Sequence, residues 1–227
     1  MRILAIDVGG SHVKMLVTGQ TVPIKIVSGP TMTARQMVRG VKQAVAAWPF
    51  DAVSIGYPGV VLHGKPVSEP RNLGAGWVGF NFSRAFGCPV KIINDAAMQA
   101  LGSYRGGRML FLGLGTGLGS AFIVDGVLEP MELAHLPYLH GRTYEEYVGE
   151  GGLERLGPKK WQHHVLDVVA LLKAALEAED VVVGGGNARR LRQLPAGVRR
   201  GSNAYAFAGG FRMWTSPAGP RPRAASA

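Results

Sequence analysis

Between Met109 and Val124 two apolar runs are joined through Gly113, Gly115, Gly117 and Gly119, so that glycine fills four of seven consecutive positions. No ordinary hairpin turn needs so many. Glycine loses more backbone freedom on ordering than any other residue, so a chain that keeps this segment must gain something from the missing side chains. What the missing side chains allow is close approach of backbone N–H groups to a ligand. The segment therefore calls for a strand-turn-strand unit whose turn faces a binding site.

A similar unit opens the chain. Arg2 to Val8, His12 to Thr18 and Val22 to Val27 are short β-branched runs separated by Gly-Gly and Gly-Gln turns, which predicts an antiparallel meander. Thr33 and Gln36 have capping-box spacing. Met37, Val41, Ala44, Val45 and Trp48 then repeat at helical spacing until Pro49, and Ala52 to Tyr57 returns to strand. In the second half, Val90 to Ile93 reads as a strand and Asp95 to Tyr104 as a helix. Trp161, Val165, Val168, Leu172 and Leu176 mark an amphipathic helix, Val181 to Val183 a strand and Ala204 to Trp214 a final helix. Two lobes with matching turns are the expectation. The Pro-, Gly-, Ser- and Ala-rich residues from Thr215 onward are expected to be disordered.

Hydrophobic residues make up 47% of the 227 and charged residues 18%, which supports a buried core through most of the length. Cys88 is the only cysteine, so an intrachain disulfide and a cysteine-rich zinc cluster are both ruled out, and a reducing cytoplasmic location is expected. The first apolar run is strand-like and carries Asp7, so no secretion signal is expected. No uncharged apolar run approaches the roughly 18 to 20 residues that span a bilayer, so no membrane partner is expected. Net charge is +10, which favours anionic partners. The late basic cluster, Lys159, Lys160, Arg189, Arg190, Arg192, Arg199 and Arg200, lacks interleaved aromatics. It therefore reads as a solvated face or a path for a phosphate polymer, and not as a specific nucleic-acid surface.

Asp7, Gly9, Gly10, Ser11 and Lys14 would let backbone amides and a lysine meet a phosphate while the aspartate holds a metal's waters; a plain hairpin turn is the other reading. Gly115, Thr116 and Gly117 form the second such turn. Gly184, Gly185, Gly186 and Asn187 come after a strand and suit a nucleotide at a helix start, or only a strand-to-helix turn. Asn94 and Asp95 stand where a strand gives way to a helix. There Asp95 is either an N-cap or a base whose ionised form the helix end favours. Glu132 and His135 would share a face of a helical turn, with Glu145 following, and read sugar hydroxyls, hold a metal, or form a surface pair. The two-histidine zinc pattern is absent.

In order, Asp-Val-Gly-Gly-Ser-His-Val-Lys (Asp7 to Lys14), Tyr-Pro-Gly-Val-Val (Tyr57 to Val61), Asn-Leu-Gly-Ala-Gly-Trp (Asn72 to Trp77), Asn-Asp-Ala (Asn94 to Ala96), Gly-Leu-Gly-Thr-Gly-Leu-Gly (Gly113 to Gly119) and Glu-Leu-Ala-His (Glu132 to His135) resemble the ROK family of bacterial sugar kinases and repressors. The resemblance implies an α/β, actin-like ATPase (ribonuclease H-like) fold of two lobes with a central cleft. Residues 1–93 would form the N-terminal lobe and 94–214 the C-terminal lobe, with the final helix returning to the first; 215–227 would be the tail. By position Asp95 resembles the family's catalytic base, and Asn72, Asn94, Glu132, His135 and Glu145 its sugar ligands. The turns at Gly9 and Gly115 resemble its phosphate sites, and Gly184 to Gly186 its adenosine-side turn.

The implied activity is transfer of a phosphoryl group from ATP or polyphosphate to the 6-hydroxyl of a hexose, glucose first, with Mg2+, possible contact through Asp7, and no zinc. A homodimer is left open. Ala134 stands where the family has glycine before the histidine, and its methyl group is expected beside the sugar pocket. That departure keeps a catalytically lapsed sugar-binding protein, or a sugar-responsive regulator, as alternatives.

Overall fold

The computed structural model describes residues 1–215, so all but the first residue of the expected tail lies outside the described residues. The first half contains β1 (Ile3–Val8), β2 (His12–Val17), β3 (Ile24–Val27), α1 (Ala34–Ala44), β4 (Ala52–Tyr57), the small hairpin β5 (Val61–Leu62) and β6 (Lys65–Pro66), α2 (Phe82–Phe86), β7 (Val90–Asn94) and α3 (Asp95–Ser103). The second half contains β8 (Arg108–Leu114), β9 (Leu118–Val124), β10 (Val127–Met131), α4 (Tyr144–Val148), α5 (Glu150–Ala175), β11 (Asp180–Gly184), a 3-10 turn (Gly186–Arg190), β12 (Val198–Arg200) and α6 (Tyr205–Arg212). The Thr33–Gln36 capping box starts α1 as its spacing predicts. α5 breaks at Gly157, whose φ of 74° is left-handed, and Pro158 restarts the helix at a position that needs no N–H.

Two five-stranded sheets result, ordered β3-β2-β1-β4-β7 and β10-β9-β8-β11-β12. In each, the first three strands are antiparallel and the last two run parallel to the central strand, so the two halves repeat one topology. The outer face of the first sheet is closed by α1, whose Met37, Val38, Val41 and Val45 pack on Leu4, Ile6 and Met15. The outer face of the second is closed by α5, whose Trp161, Val165, Val168 and Leu172 pack on Leu110, Leu112 and Val183.

The inner faces exchange helices. α3 leaves the first sheet and packs Ala96, Ala97 and Ala100 on Met109, Phe111 and Ala121 of the second. α6 leaves the second sheet and packs Phe207 on Ala5 and Leu16 of the first. The Ser54 hydroxyl donates to the Gly210 carbonyl at 2.6 Å and accepts from the Trp214 indole N–H at 2.8 Å, fixing α6 to β4.

α3 and α6 cross between the sheets through glycines. A Cβ on Gly102 would overlap the Tyr205 carbonyl, and one on Gly209 would overlap the Met98 carbonyl. Gly102→Ala should therefore force the helices apart and cost about 1–3 kcal/mol. At about 2–4 °C per kcal/mol for a chain this size, thermal melting should show the loss readily. The control is Gly151→Ala, an exposed helical glycine with nothing within 4 Å of the added atom, which should be neutral or stabilising.

Candidate active site

The parallel strands of the first sheet bring three chain segments to one edge. Register places Asp7 beside Lys14 on β2 and beside Gly56 on β4, and places Asn94 beside Tyr57 at the end of β7. Asp95 comes next as the first residue of α3. Gly56 gives α3 room here, since a Cβ there would run into the end of the Met98 side chain. The helix is capped by Asn94 and not by Asp95: the Asn94 carbonyl oxygen accepts from the N–H groups of Ala96 and Ala97 at 2.9 and 3.3 Å. The Asn94 amide donates to the Gly59 carbonyl at 3.1 Å, leaving one amide hydrogen for the cleft. Asp95 is thereby relieved of capping, although one of its oxygens also accepts from Ala96 N–H at 2.8 Å.

The helix end was expected to keep Asp95 ionised, but it is outweighed. Burial pushes the Asp95 carboxyl up to about 7, and the neighbouring Asp7 charge pushes the same way against the Ala96 hydrogen bond. Asp7 is itself buried, which raises its carboxyl, while the Lys14 ammonium at 3.4 Å opposes the shift. Lys14, read as a phosphate ligand, thus faces Asp7. Two crowded carboxylates suit a dication, which would relieve their repulsion, so the site fits magnesium held beside Asp7.

The first glycine turn is braced by hydrogen bonds from Gly9 N–H to the His12 carbonyl at 3.1 Å and from the Ser28 hydroxyl to the Gly9 carbonyl at 2.6 Å. Ser11 is exposed beside it. Asn72 comes from a different loop to within 2.9 Å of where a Gly10 side chain would begin, so Gly10 is required for that contact.

In the second sheet Gly113 pairs with Gly119 and Gly184, and the turn Gly115–Gly117 is closed by a Gly115 N–H bond to the Gly117 carbonyl at 3.1 Å. Thr116 is exposed at its tip. The Gly184–Gly186 turn stacks against this turn: Gly185 has a φ of 81° and would clash with the Leu114 carbonyl if it carried a side chain. Asn187 donates its amide to the Gly115 carbonyl at 3.3 Å, so it joins the two turns. The segment from Gly186 to Arg190 is a single 3-10 turn and not the α-helix expected there.

Glu145 stands at the start of α4, where one carboxylate oxygen accepts from the Leu118 N–H at 3.2 Å and the other lies 3.8 Å from Arg71, next to Asn72. It thereby links the second glycine hairpin to the Asn72 loop. Glu132 and His135 do not lie on a helical turn. They sit on an open, exposed turn whose backbone is held by Leu136 N–H to the Leu133 carbonyl at 3.2 Å and Glu145 N–H to the Ala134 carbonyl at 3.0 Å. Their proximity to Glu145 comes from that last bond. The Ala134 methyl group, the departure from the family pattern, is buried in the second core with Leu118 and Tyr147.

Three of the five late arginines are engaged. Arg199 forms a two-pronged ion pair with Asp180 at 2.7–3.0 Å, Arg200 donates to the carbonyls of Ala188 and Leu191, and Arg190 donates to Asn187 at 3.3 Å. Lys159, Lys160, Arg189 and Arg192 stay exposed, so only part of the late basic cluster is taken up within the fold. The sequence reading missed β12, because its Val-Arg-Arg carries too little apolar pattern to register as a strand. It also missed Arg71.

Two sheets of one topology, crossing helices and a cleft edged by glycine turns define an actin-like ATPase fold of the sugar kinase type. A model of the ROK family matches residues 3–129, and the chain belongs to that family. It is 30% identical over 207 residues to the polyphosphate glucokinase of Mycobacterium tuberculosis (strain ATCC 25177 / H37Ra), covering 82% of this chain and 77% of that one. Among solved structures it is similar to the inorganic polyphosphate/ATP-glucomannokinase from Arthrobacter sp. strain KM, with a TM-score of 0.77, 25% identity, and coverage of 92% of this chain and 96% of that one. It shares its fold with the ROK family glucokinase from Streptomyces griseus in complex with glucose and AMPPNP, at a TM-score of 0.75 and 18% identity, covering 94% and 99% of the two chains. No helix among the described residues is long and apolar enough to cross a membrane.

The raised Asp95 carboxyl has a stability consequence with a definite sign. Folding raises its pKa from 3.8 to about 7, so its contribution is fully present below pH 4 and is lost as pH rises toward 7. In magnesium-free buffer Asp95→Asn should therefore melt higher than the parent at pH 8, and the gain should vanish near pH 4. A gain that is equal at both pH values would show that the carboxyl is not perturbed in this way.

Proposed function

We propose that the chain is a hexose kinase that transfers a phosphoryl group from ATP or polyphosphate to the 6-hydroxyl of the sugar, with Asp95 as the general base. The observation that carries this reading is the Asp7–Asp95 carboxylate pair at one edge of the first sheet. Asp95 is freed from capping by Asn94 and set at a cleft edged by two glycine turns. A half-buried carboxylate with its own cap residue is placed for proton transfer, which typically contributes about 10²–10⁴ in rate.

In this reading the sugar lies between the Asn72 loop and the Glu132–His135 turn, where Asn72, Glu132, His135, Glu145 and the remaining Asn94 amide hydrogen orient its hydroxyls. The 6-hydroxyl oxygen forms a bond to the phosphorus as the bond from phosphorus to the donor's bridging oxygen breaks. Its proton passes to an Asp95 carboxylate oxygen late in a loose transition state. Backbone N–H groups at Gly10 and Ser11 and at Thr116 and Gly117 would face the donor's phosphates, while those of Gly9 and Gly115 hold the two turns in shape. Lys14 holds Asp7 in place. Magnesium, when bound with the donor, supplies positive charge to the phosphate oxygens, and Asp7 is the side chain that would hold it. Gly184, Gly185, Gly186 and Asn187 shape the adenosine side by holding the second turn from behind.

Residues 1–93 and 94–214 are read as the two lobes, closing around α3 and α6 to exclude water. Work on ATP and sugar belongs in the cytoplasm. With the Ala134 methyl in the core, nothing in the pocket favours a lapsed binding protein.

Purified protein assayed with glucose and each donor should release glucose 6-phosphate only when magnesium is present. Asp95→Asn should lower kcat by at least about 10² while calorimetric glucose binding stays within a few-fold of the parent. Near-normal turnover in that variant would remove Asp95 from the role, and absence of turnover with every sugar and donor would remove the kinase.

A further inference from the structure

A second basic feature lies outside the cleft. Between α1 and α2 runs a groove of about 1060 Å³, lined by Arg35, Arg39 and Lys42 from α1 and by Arg84 from α2, with Phe80 and Asn81 at its side. No acidic residue lines it, and none of the four cations has an ion-pair partner among the described residues. Lys42 and Arg84 occupy last turns, where a cation is favoured, but the other two cations oppose local helix preferences. Arg35 occupies the first turn of α1, where the macrodipole disfavours a cation, and no acidic residue accompanies it there. Arg39 stands at i+4, a like-charge spacing that further destabilises the helix. Lys42 reaches across to the Ala85 carbonyl at 3.3 Å and ties the two walls together. Local rules broken without an internal compensation point to a ligand that supplies the missing negative charge.

The loop that holds Asn72 links the start of α1 to the first glycine turn. Gly74 N–H bonds to the Met32 carbonyl just ahead of α1 at 3.0 Å, and Asn72 in the same loop packs on Gly10 of the first phosphate turn. Exposed Arg71 precedes Asn72 in this loop and adds a cation on the cleft side, 3.8 Å from Glu145. The chemistry favours a plain phosphate polymer over nucleic acid. Phe80 is the one aromatic lining the groove and is half-buried against Phe82 at 4.8 Å, so the groove lacks the succession of ring faces on which consecutive bases stack.

We propose that this groove is a distal binding site for inorganic polyphosphate, holding the part of the polymer that trails out of the cleft. The proposal rests on polymer use by the kinase proposed for the cleft. Holding the trailing segment raises the effective concentration of the reacting end, so it assists long chains and does nothing for ATP or a short oligophosphate.

The test is a triple variant, Arg35→Gln, Arg39→Gln and Arg84→Gln, compared with a charge-preserving triple to lysine. Both are assayed with long-chain polyphosphate, tripolyphosphate and ATP. Loss of three exposed charge contacts should raise the KM for the long polymer about tenfold, with kcat, the ATP KM and the tripolyphosphate KM unchanged. The slope of log KM against log salt should fall by up to about three, and the lysine variant should retain most of the parent behaviour.

Binding of end-labelled polyphosphate, followed by fluorescence anisotropy without sugar, should weaken in parallel. If long-chain turnover is absent in the parent, polymer use in the proposed function fails, and the anisotropy measurement still decides the groove. An unchanged long-chain KM and anisotropy, or equal losses on all three donors, overturns the site. Displacement of the labelled polymer by single-stranded DNA at equal affinity also overturns it, in favour of a nucleic-acid surface.

Discussion

The crossing of α3 and α6 at Gly102 and Gly209 is the contact on which the remaining geometry depends. Each helix leaves one sheet and packs on the other, so the halves are joined by exchange of helices as well as by the chain. The exchange works only if the helix backbones approach closely enough for each helix also to reach its sheet. Glycine at 102 and 209 supplies that approach, and Gly210 with Ala5 continues it onto β1. α3 is both the crossing helix and the helix that carries Asp95 on its first residue. The position of the candidate base is therefore tied to the packing between the sheets, and closure of the cleft around this crossing would leave the base fixed to its own strand edge.

The halves repeat a backbone and differ in chemistry. Asp7 and Gly113 hold matching places, each on the central strand, with an antiparallel partner on one side and a parallel partner on the other. At Asp7 the first sheet presents a carboxylate, with Asp95 close enough to feel its charge. At Gly113 the second sheet presents glycine facing Gly119 and Gly184. One edge carries paired carboxylates, and the other offers backbone. A buried carboxylate on both edges would add like charge to a cleft that must admit phosphates, which is a physical reason for the repeat to be unequal.

Much of this was legible in the sequence where a local rule acts alone. The meander, the Thr33–Gln36 box and the Trp161–Leu172 stripe come from period and capping, and the structure has them. The adjacent Asn94 and Asp95 were not separable, because both residue types cap helices and the choice depends on where β7 stops pairing with Tyr57. The helical turn expected at Glu132 and His135 is opened by the bridge between Pro137 and Thr143, a contact six residues apart in a segment without strand composition. The Ala134 methyl points into the core for the same reason. The groove between α1 and α2 was invisible because α2 is a single short helix with no sequence period to announce it.

The same distinction explains why the net charge of +10 says little by itself. Several basic side chains complete the ends of helices, where the last carbonyls have no intrahelical partner. Arg212 donates to the carbonyls of Gly102 and Tyr104 at the end of α3, Arg155 to the Glu146 carbonyl in α4, Arg108 to the carbonyls of Leu176 and Glu177 after α5, and Lys91 to the Met213 carbonyl after α6. At these C-terminal ends a cation also meets the favourable end of the macrodipole. Arg199 and Arg200 are absorbed in a similar way by Asp180 and by loop carbonyls. A residue count treats all these side chains alike, but a guanidinium already holding a carbonyl has lost much of its reach toward a mobile anion. In the α1–α2 groove three of the four cations have no hydrogen-bonded acceptor among the described residues, they converge on one concave surface, and Arg35 stands at the wrong end of its helix.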